Sequence, residues 1–358
     1  MWPYLAFGSL FAAAATLGRP QRPGMLPWAM LFIITVLFVG LRHHVGMDWN
    51  NYLRMIYSVE NARSFSRIFV QAEPFYALLL AFGAWTGWGI YAVNLIATTA
   101  LMTGLFALAR KTPEPWLALI AALPFFIVVV SMSANRQALA AGLLMLLIAN
   151  WYRFGVVGRT VFVLLCSGFH ASAVLMLAFV AFDIKMPRVF KIAGIGIFSL
   201  AAIYYLQQTG FADYYDQAYG SGQTEAVQSG GAIFHIAITA VPASFYFLFP
   251  RYRDVLFPNE LIRNMAFAAL LTLPLAAVAS AAAGRISLYW FPVSMYVWAA
   301  FPQMIDPRFR RAARLVISAV MLIMMAGWLE FANSSNAHIP YQNALFLEAW
   351  ELEIGILP

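Results

Sequence analysis

Runs of apolar residues, most of them long enough to form a membrane helix, follow one another along almost the whole chain. An α-helix needs about 17–25 mostly apolar residues to cross a bilayer, and it satisfies its own backbone polar groups there. The pattern therefore predicts an all-α, polytopic membrane protein with about 10–12 transmembrane helices in a single domain, residues 1–358. The runs lie near residues 2–18, 26–41, 73–86, 89–109, 115–133, 136–152, 160–182, 189–207, 231–250, 260–282, 286–305 and 311–329.

Two of these runs are interrupted by residues that disfavour a continuous helix. The segment 73–86 is short and carries Pro74 and Gly83, and the segment 160–182 has the polar centre "CSGFHAS". Irregular backbone at membrane depth is tolerated where it is buried in protein or lines a wet cavity. We expect one or two broken or re-entrant helices here, next to a cavity at the outer face; the alternative is that both segments span normally.

Basic residues between the apolar runs predict the orientation. Because Lys and Arg concentrate in cytoplasmic loops, the clusters are expected on the cytoplasmic side. The chain ends and the three long polar segments, 42–72, 207–230 and 330–358, are then periplasmic. The clusters are Arg19/Arg22, Arg110/Lys111, Arg153/Arg159, Lys185/Arg188/Lys191, Arg251/Arg253 and Arg308/Arg310/Arg311/Arg314.

Composition supports the membrane class. The chain is 63% hydrophobic and 10% charged, with a mean hydropathy of +0.75, whereas soluble domains are about 45–50% apolar and about 25% charged. The net charge of +7 is spread over loops and does not indicate nucleic-acid binding. A single cysteine, Cys166, allows no internal disulfide. The sequence has no P-loop, dinucleotide fingerprint, HExxH or nucleophile elbow, which disfavours ATP-driven and redox classes, and no cofactor is expected.

Six ionisable residues lie within or beside apolar runs, where charge is costly and by default indicates function. On the predicted topology five of them lie near the outer face, and the histidine lies at or above the midplane from that side. They are Arg42, Asp48, Glu73, Arg136, His170 and Arg285.

Each of these residues also has a structural interpretation. Arg42 and Arg136 could extend to lipid headgroups, and His170 could be a core histidine bonded to a carbonyl. Arg285 follows Gly284, which suits close approach to a bulky anion, but an interhelical ion pair with Glu73 or Asp48 is equally consistent.

Two further candidates are weaker. His44 and Asp48 would share a helix face, but no third ligand accompanies them, so no metal site is predicted. In the polar segment 207–230, a carboxylate on a flexible loop could act as a base; the candidates are Asp213, Asp216 and Glu225.

Several short motifs follow one another along the chain: "LRHHVGMDWNNYLRMIY", "AEPFYALL", "MSANRQALAAGLLML" and "FHASAVLML", then the weaker "GRISLYWF" and "HIPYQN". Taken in order, these motifs resemble the EpsG family of bacterial exopolysaccharide polymerases, which are related to the Wzy O-antigen polymerases. The motifs cover residues from about 40 to 343. The chain departs from the family at His43 and His44, where an aromatic or small residue is common.

The resemblance implies a multi-pass enzyme of the bacterial inner membrane that joins lipid-linked oligosaccharide repeats on the periplasmic side. One undecaprenyl pyrophosphate would be the leaving group, and a sugar hydroxyl of another lipid-linked unit would be the acceptor. The expected partners are the undecaprenyl-pyrophosphate-linked oligosaccharide, membrane lipids and a polysaccharide chain-length regulator, and no nucleic acid.

The candidate residues suit this chemistry. Arginine matches phosphate oxygens bidentately and stays charged, so we expect Arg285 and Arg136 to hold the pyrophosphate without a metal. His170 has the intrinsic pKa range of a base for the acceptor hydroxyl, with Asp48 and Glu73 as alternatives. The residues that the matching motifs assign to substrate binding are Arg42, Glu73, Gln137, Tyr52 and Tyr341.

Aromatic residues in the polar segments could stack on sugar faces, although anchoring at the membrane interface is their simpler role. They are Trp49, Tyr52, Tyr214, Tyr215 and Tyr219. Other functions stay open at this point: a single-sugar glycosyltransferase using a polyprenyl-phosphate donor, an O-antigen ligase, a transporter or flippase of lipid-linked sugars, and an acyltransferase using His170.

Overall fold

The computed structural model describes residues 1–184 and 231–354 and the isolated positions 187, 189 and 194. The chain divides into two compact units, Met1–Trp151 with Phe162–Val174 and Ser294–Pro358, and Tyr152–Val161 with Leu175–Val293. Most of the predicted segment 189–207 and nearly all of the polar segment 207–230, with Asp213, Asp216, Glu225 and Tyr214, Tyr215 and Tyr219, lie outside the described residues. The single domain stays a prediction.

Helices dominate the described residues, as the hydrophobic pattern predicts. They are α1 (Trp2–Leu17), α2 (Met25–Gly40), α3 (Trp49–Glu60), α4 (Phe65–Ile68), α5 (Pro74–Thr86), α6 (Gly89–Ala109), α7 (Pro115–Ala122), α8 (Ser131–Ser133), α9 (Asn135–Ala149), α10 (Val156–Ser167), α11 (Leu177–Phe182), α12 (Ala232–Leu248), α13 (Arg253–Leu256), α14 (Glu260–Ser287), α15 (Phe291–Ala300), α16 (Arg310–Phe331) and α17 (Ala349–Ile354). A π-helix, Leu123–Val130, joins α7 to α8, and two short strands, β1 (Arg42–His43) and β2 (Gln342–Asn343), pair antiparallel.

The all-α, polytopic class is confirmed. Within the described residues, four helical stretches are long and apolar enough to cross a membrane: Gly89–Ala109, Pro115–Ser133, Glu260–Ala277 and Pro307–Phe331. A fifth candidate is a pair, Ala232–Leu248 and Pro250–Leu256, bent by 99°. Six apolar helical stretches of 10–17 residues accompany them. The sequence did not predict the bend at Phe249, where Pro250 begins a new helical turn.

One predicted break is present, and one predicted boundary is corrected. The segment 160–182 is broken, as expected from the polar centre: α10 ends at Ser167, and a 3₁₀-helix, Ala171–Met176, precedes α11. The correction concerns α14, which continues to Ser287, so Arg285 lies in the last helical turn and not between two segments. Gly284 weakens a helix only slightly and did not end it.

The first unit depends on close packing of small residues. Helix α6 lies against α9, α2 and α5. A methyl group added at Gly104 would stand 1.7 Å from the carbonyl oxygen of Gly142, and one added at Gly142 would stand 2.3 Å from the Cα of Leu101. Small residues that let helix backbones approach closely are the usual contact between membrane helices.

One end of the first unit is assembled from distant parts of the chain. The Tyr4 hydroxyl donates to the His338 carbonyl at 2.9 Å, and the Tyr341 hydroxyl donates to the Phe38 carbonyl at 2.7 Å. The side-chain amide of Asn343 donates to the Leu37 carbonyl at 3.1 Å. The start of α1, the end of α2 and residues 338–343 therefore meet at this end, which we call the α2-exit end.

The opposite end of the first unit carries basic residues. Arg314 forms a bidentate ion pair with the buried Glu114, with N–O distances of 2.7 and 3.0 Å. Arg110 lies over the Trp28 ring, 5.1 Å from its centroid. These contacts join the starts of α2, α7 and α16 to the end of α6. Basic clusters 110–111 and 308–314 thus share one end, as a common cytoplasmic side would require.

The second unit contains a close helix pair. Helices α12 and α14 pack together, and a methyl group added at Gly284 would stand 3.2 Å from the Cβ of Ala232. Gly284 therefore allows the two helices to approach closely. This packing explains the small residue before Arg285, and no bound ligand is needed to explain it. Arg159 forms an ion pair with Asp183, and Arg263 with Asp254 at 2.7 Å.

Candidate active site

Three of the predicted site residues form one cluster in the first unit. One carboxylate oxygen of Glu73, Oε2, accepts a hydrogen bond from Nη1 of Arg136 at 3.0 Å. The other, Oε1, lies 3.0 Å from Nδ1 of His170 and accepts from the Ala171 N–H at 3.2 Å. The three side chains are mostly buried, with exposed fractions of 14% for Glu73, 17% for His170 and 27% for Arg136.

Helix starts position two of these side chains. Glu73 immediately precedes α5, and Pro74 occupies the first helical position, where its missing N–H costs no hydrogen bond. Arg136 lies in the first turn of α9, and its backbone N–H donates to the Tyr52 hydroxyl at 3.4 Å. A carboxylate is also favoured at a helix N-terminus by the dipole.

The break after α10 positions the histidine. The Phe75 N–H donates to the Gly168 carbonyl at 2.8 Å, so the break is bonded to the start of α5. A methyl group at Gly168 would stand 2.3 Å from the Phe75 ring, which makes glycine necessary for this approach. The His170 N–H donates to the Cys166 carbonyl at 3.2 Å. The polar sequence "CSGFHAS" therefore ends one helix and aims His170 at Glu73.

Electrostatics keeps Glu73 ionised. Burial alone raises the pKa of Glu73, but the hydrogen bond with His170 and the positive charge of Arg136 outweigh it and lower that pKa to about 2. A carboxylate that is ionised can only accept hydrogen bonds. Nδ1 of His170 is therefore the donor to Glu73.

A second polar network lies beside this cluster and includes Arg42. Arg42 is fully buried and donates to the carbonyls of Val39 at 2.8 Å and Val45 at 3.2 Å. Its Nη2 donates to Oδ1 of Asn94 at 3.1 Å, which also accepts from Asn135 at 2.8 Å. This arrangement gives Arg42 a structural role at the α2-exit end, and its contact with substrate stays a prediction.

The remaining candidates in the first unit have varied surroundings. Asp48 is partly buried at the start of α3 and accepts from the Asn51 amide at 3.4 Å. Tyr52 is buried, and its hydroxyl accepts from the Arg136 N–H. Gln137 is buried and directly follows Arg136 in the chain. Tyr341 stacks on Phe38 with ring centroids 4.2 Å apart, so it contributes to the α2-exit end. Their substrate contacts stay predictions.

Arg285 belongs to the second unit and is exposed in the last turn of α14. A cation there is favoured by the negative end of the helix dipole. Glu73 pairs with Arg136 and faces His170. The ion pair of Arg285 with Glu73 or Asp48, the alternative from the sequence, stays a prediction.

Sequence reasoning missed several buried polar residues of this region. Asn94 and Asn135 link Arg42 to the Tyr76 hydroxyl, which accepts from Asn135 at 3.4 Å. His338 is fully buried, with Nε2 lying 3.5 Å from the Ser133 hydroxyl. Asn94 offered a signal, because a buried amide within the apolar run 89–109 needs a partner. His338 lies in a polar segment and offered none.

These observations define a polytopic helical membrane protein with a buried acid–histidine–arginine cluster. Among the described residues, no three His, Cys, Asp or Glu side chains come together as metal ligands would.

Comparison with known proteins then gives the family. Residues 25–343 match the EpsG family, so the chain belongs to this family. No curated protein and no solved structure gives a match. Membership supports a role in polysaccharide polymerisation, and the match spans the motifs around Arg42, Glu73, Arg136 and His170.

Proposed function

We propose that this protein polymerises undecaprenyl-pyrophosphate-linked oligosaccharide repeats at the periplasmic face of the bacterial inner membrane. The observation that carries the proposal is the Glu73–Arg136–His170 cluster in a membrane protein of the EpsG family. It combines a guanidinium for a leaving pyrophosphate with an imidazole for an acceptor hydroxyl.

Arg136 is suited to the leaving group. Its guanidinium carries five N–H donors; Nη1 donates to Glu73, and the side chain is 27% exposed, so further donors can reach phosphate oxygens. Fixed donors aimed at developing charge stabilise a transition state strongly in a water-poor site. The proposal also assigns Arg285 a role in binding the pyrophosphate, and it requires no metal.

The chemical step is a glycosyl transfer. The acceptor hydroxyl oxygen forms a bond to the anomeric carbon of the donor sugar, and the bond from that carbon to the pyrophosphate oxygen breaks. The hydroxyl proton passes to Nε2 of His170, and the electron pair of the broken bond leaves with undecaprenyl pyrophosphate. The glycan that the leaving carrier held is thereby transferred to the acceptor unit, which stays on its own lipid carrier.

The test uses purified protein in lipid vesicles with lipid-linked repeat units. We expect a ladder of lipid-linked products from the wild type and none from Arg136→Ala or Arg285→Ala. Arg308→Ala is the matched control, because Arg308 is 86% exposed and lies in a basic cluster. Full-length polymer from Arg285→Ala would reject that residue's role, and unchanged substrate with the wild type would favour a carrier. Addition of one sugar from a polyprenyl-phosphate donor would favour the single-sugar transferase.

Topology provides an independent test. Cys166 is the chain's single cysteine and is buried, so replacing it gives a background for labelling. Cysteines introduced at positions 136 and 285 should react with a membrane-impermeant reagent from the same side. Labelling from opposite sides would contradict the assignment of both residues to the pyrophosphate.

A further inference from the structure

We infer that Glu73 is a positioning residue, which fixes the His170 ring with Nε2 toward the acceptor and ties that ring to Arg136. The inference rests on the proposed function and deepens it. The sequence motif suggested substrate binding for Glu73, but both carboxylate oxygens are already engaged within the protein. Oε2 accepts from Arg136, and Oε1 accepts from the Ala171 N–H and faces His170.

The bonding determines the tautomer of the neutral histidine. Since Nδ1 donates to the Glu73 carboxylate, the lone pair of the neutral ring lies on Nε2. Among the described residues, no hydrogen-bond partner engages Nε2 of His170, so that nitrogen can accept a proton from a sugar hydroxyl. The imidazolium that results faces an ionised carboxylate 3.0 Å away, which stabilises the charge formed in the step.

The backbone makes this orientation rigid. The Phe75 N–H bonds the Gly168 carbonyl, and the Ala171 N–H bonds Glu73 itself. The hydrogen bonds at Gly168 and Ala171, which flank His170 in the sequence, therefore both hold this segment against the start of α5. The same carboxylate holds Arg136 at 3.0 Å, so one group fixes the distance between the base and the cation for the leaving group.

A glutamine cannot replace this carboxylate, although it has the same shape. Arg136 and the Ala171 N–H are obligatory donors, and they bond different oxygens of Glu73. An amide offers one acceptor oxygen and turns its NH₂ group toward the other side. Glu73→Gln therefore loses either the Arg136 contact or the Ala171 and His170 contacts.

The experiment measures single-step elongation with purified protein in vesicles that contain lipid-linked repeat units. Glu73→Gln is expected to lower kcat by about 10- to 100-fold, the loss typical of a hydrogen bond to a charged group, with little change in KM. His170→Gln should lower kcat at least as much. The variant carrying both changes should lose less than the product of the two single losses, because Glu73 acts partly through the histidine.

A spectroscopic measurement keeps the inference testable if a variant fails to fold. The chain has five histidines, and ¹⁵N-histidine-labelled wild type in lipid, compared with His170→Gln, identifies the His170 signals. At a pH where the ring is neutral, we expect a protonated Nδ1 and an unprotonated Nε2.

The outcomes separate the two proposals. If the wild type polymerises and Glu73→Gln keeps the wild-type kcat, the inference is overturned and the proposed function stays intact. The same holds if the loss of kcat in the double variant equals the full product of the two single losses. A neutral His170 protonated on Nε2 also overturns it. A wild type that forms no polymer rejects the proposed function, and the inference falls with it.

Discussion

Removing the guanidinium of Arg136 should damage stability and activity for different reasons, and the two effects can be separated. Arg136→Ala leaves Glu73, which is 14% exposed, without its cation. Breaking a buried ion pair by deleting one partner costs about 3–5 kcal/mol. His170 and the Ala171 N–H still bond Glu73, so we expect the lower end, about 3 kcal/mol. For a large domain this corresponds to a fall in Tm of roughly 5–10 °C.

The activity loss has its own magnitude. If two N–H donors of the Arg136 guanidinium bond the leaving pyrophosphate, Arg136→Ala loses two hydrogen bonds to a charged group, worth about 1.5–3 kcal/mol each. At about 1.4 kcal/mol for each tenfold change, kcat/KM should fall by roughly 10²–10⁴-fold. The kcat/KM of Arg136→Lys should lie between those of the wild type and Arg136→Ala, because a lysine keeps the charge but not the planar fork.

A second variant separates the two effects. Adding Glu73→Gln to Arg136→Ala removes the unpaired carboxylate, so thermal unfolding in detergent should show most of the Tm restored. Elongation in vesicles should remain at least about 100-fold below that of Glu73→Gln alone. Equal elongation by Glu73→Gln and the double variant would mean that Arg136 only neutralises Glu73, and the reasoning about the pyrophosphate would be refuted.

The remaining predictions concern packing, pH and the α2-exit end. Gly142→Ala should lower the free energy of unfolding by about 1–3 kcal/mol, because its methyl group would stand 2.3 Å from the Cα of Leu101; Gly327→Ala, with open space, should stabilise by up to about 1 kcal/mol. Equal Tm values for the two would contradict the packing argument. Burial lowers the pKa of His338 from 6.5 to about 4, so the unfolded chain takes up the proton first and stability falls as pH drops through that window. The difference in Tm between wild type and His338→Gln should change from pH 7 to pH 4, and a constant difference would count against a buried neutral ring. Asn343→Ala loses the hydrogen bond to the Leu37 carbonyl, so limited proteolysis should cut residues 338–343 faster than in the wild type. An unchanged rate would show that the β1–β2 pair is sufficient to hold these residues in place.

The sequence predicted helices well and their partners poorly. Long apolar runs located most helices of the described residues to within a few positions, because the bilayer requires continuous apolar helices. The polar centre around His170 predicted a broken segment for the same reason. Helix ends were less certain: Gly284 did not end α14, since packing against Ala232 outweighs its low helix propensity.

Contacts between distant residues could not be read from one sequence. Arg136 and Glu73 were each expected near the outer face, but their ion pair joins residues 63 positions apart, and the His170 contact spans 97. Nothing local specifies which cation meets which carboxylate. His338 shows the limit most clearly, because its burial depends on Tyr4 and Ser133 from opposite parts of the chain.

The contacts of residues 338–343 have a consequence for biosynthesis. A ribosome releases α1 and α2 into the membrane long before these residues are made, and domains tend to fold from the N-terminus as they emerge. Until then the Tyr4 hydroxyl lacks its acceptor on His338, and Arg42 lacks its strand partner Asn343. The contacts of α1 are thus completed only when residues 334 positions further along the chain have been made, so a chain truncated before them would expose unpaired polar groups that quality-control proteases could recognise.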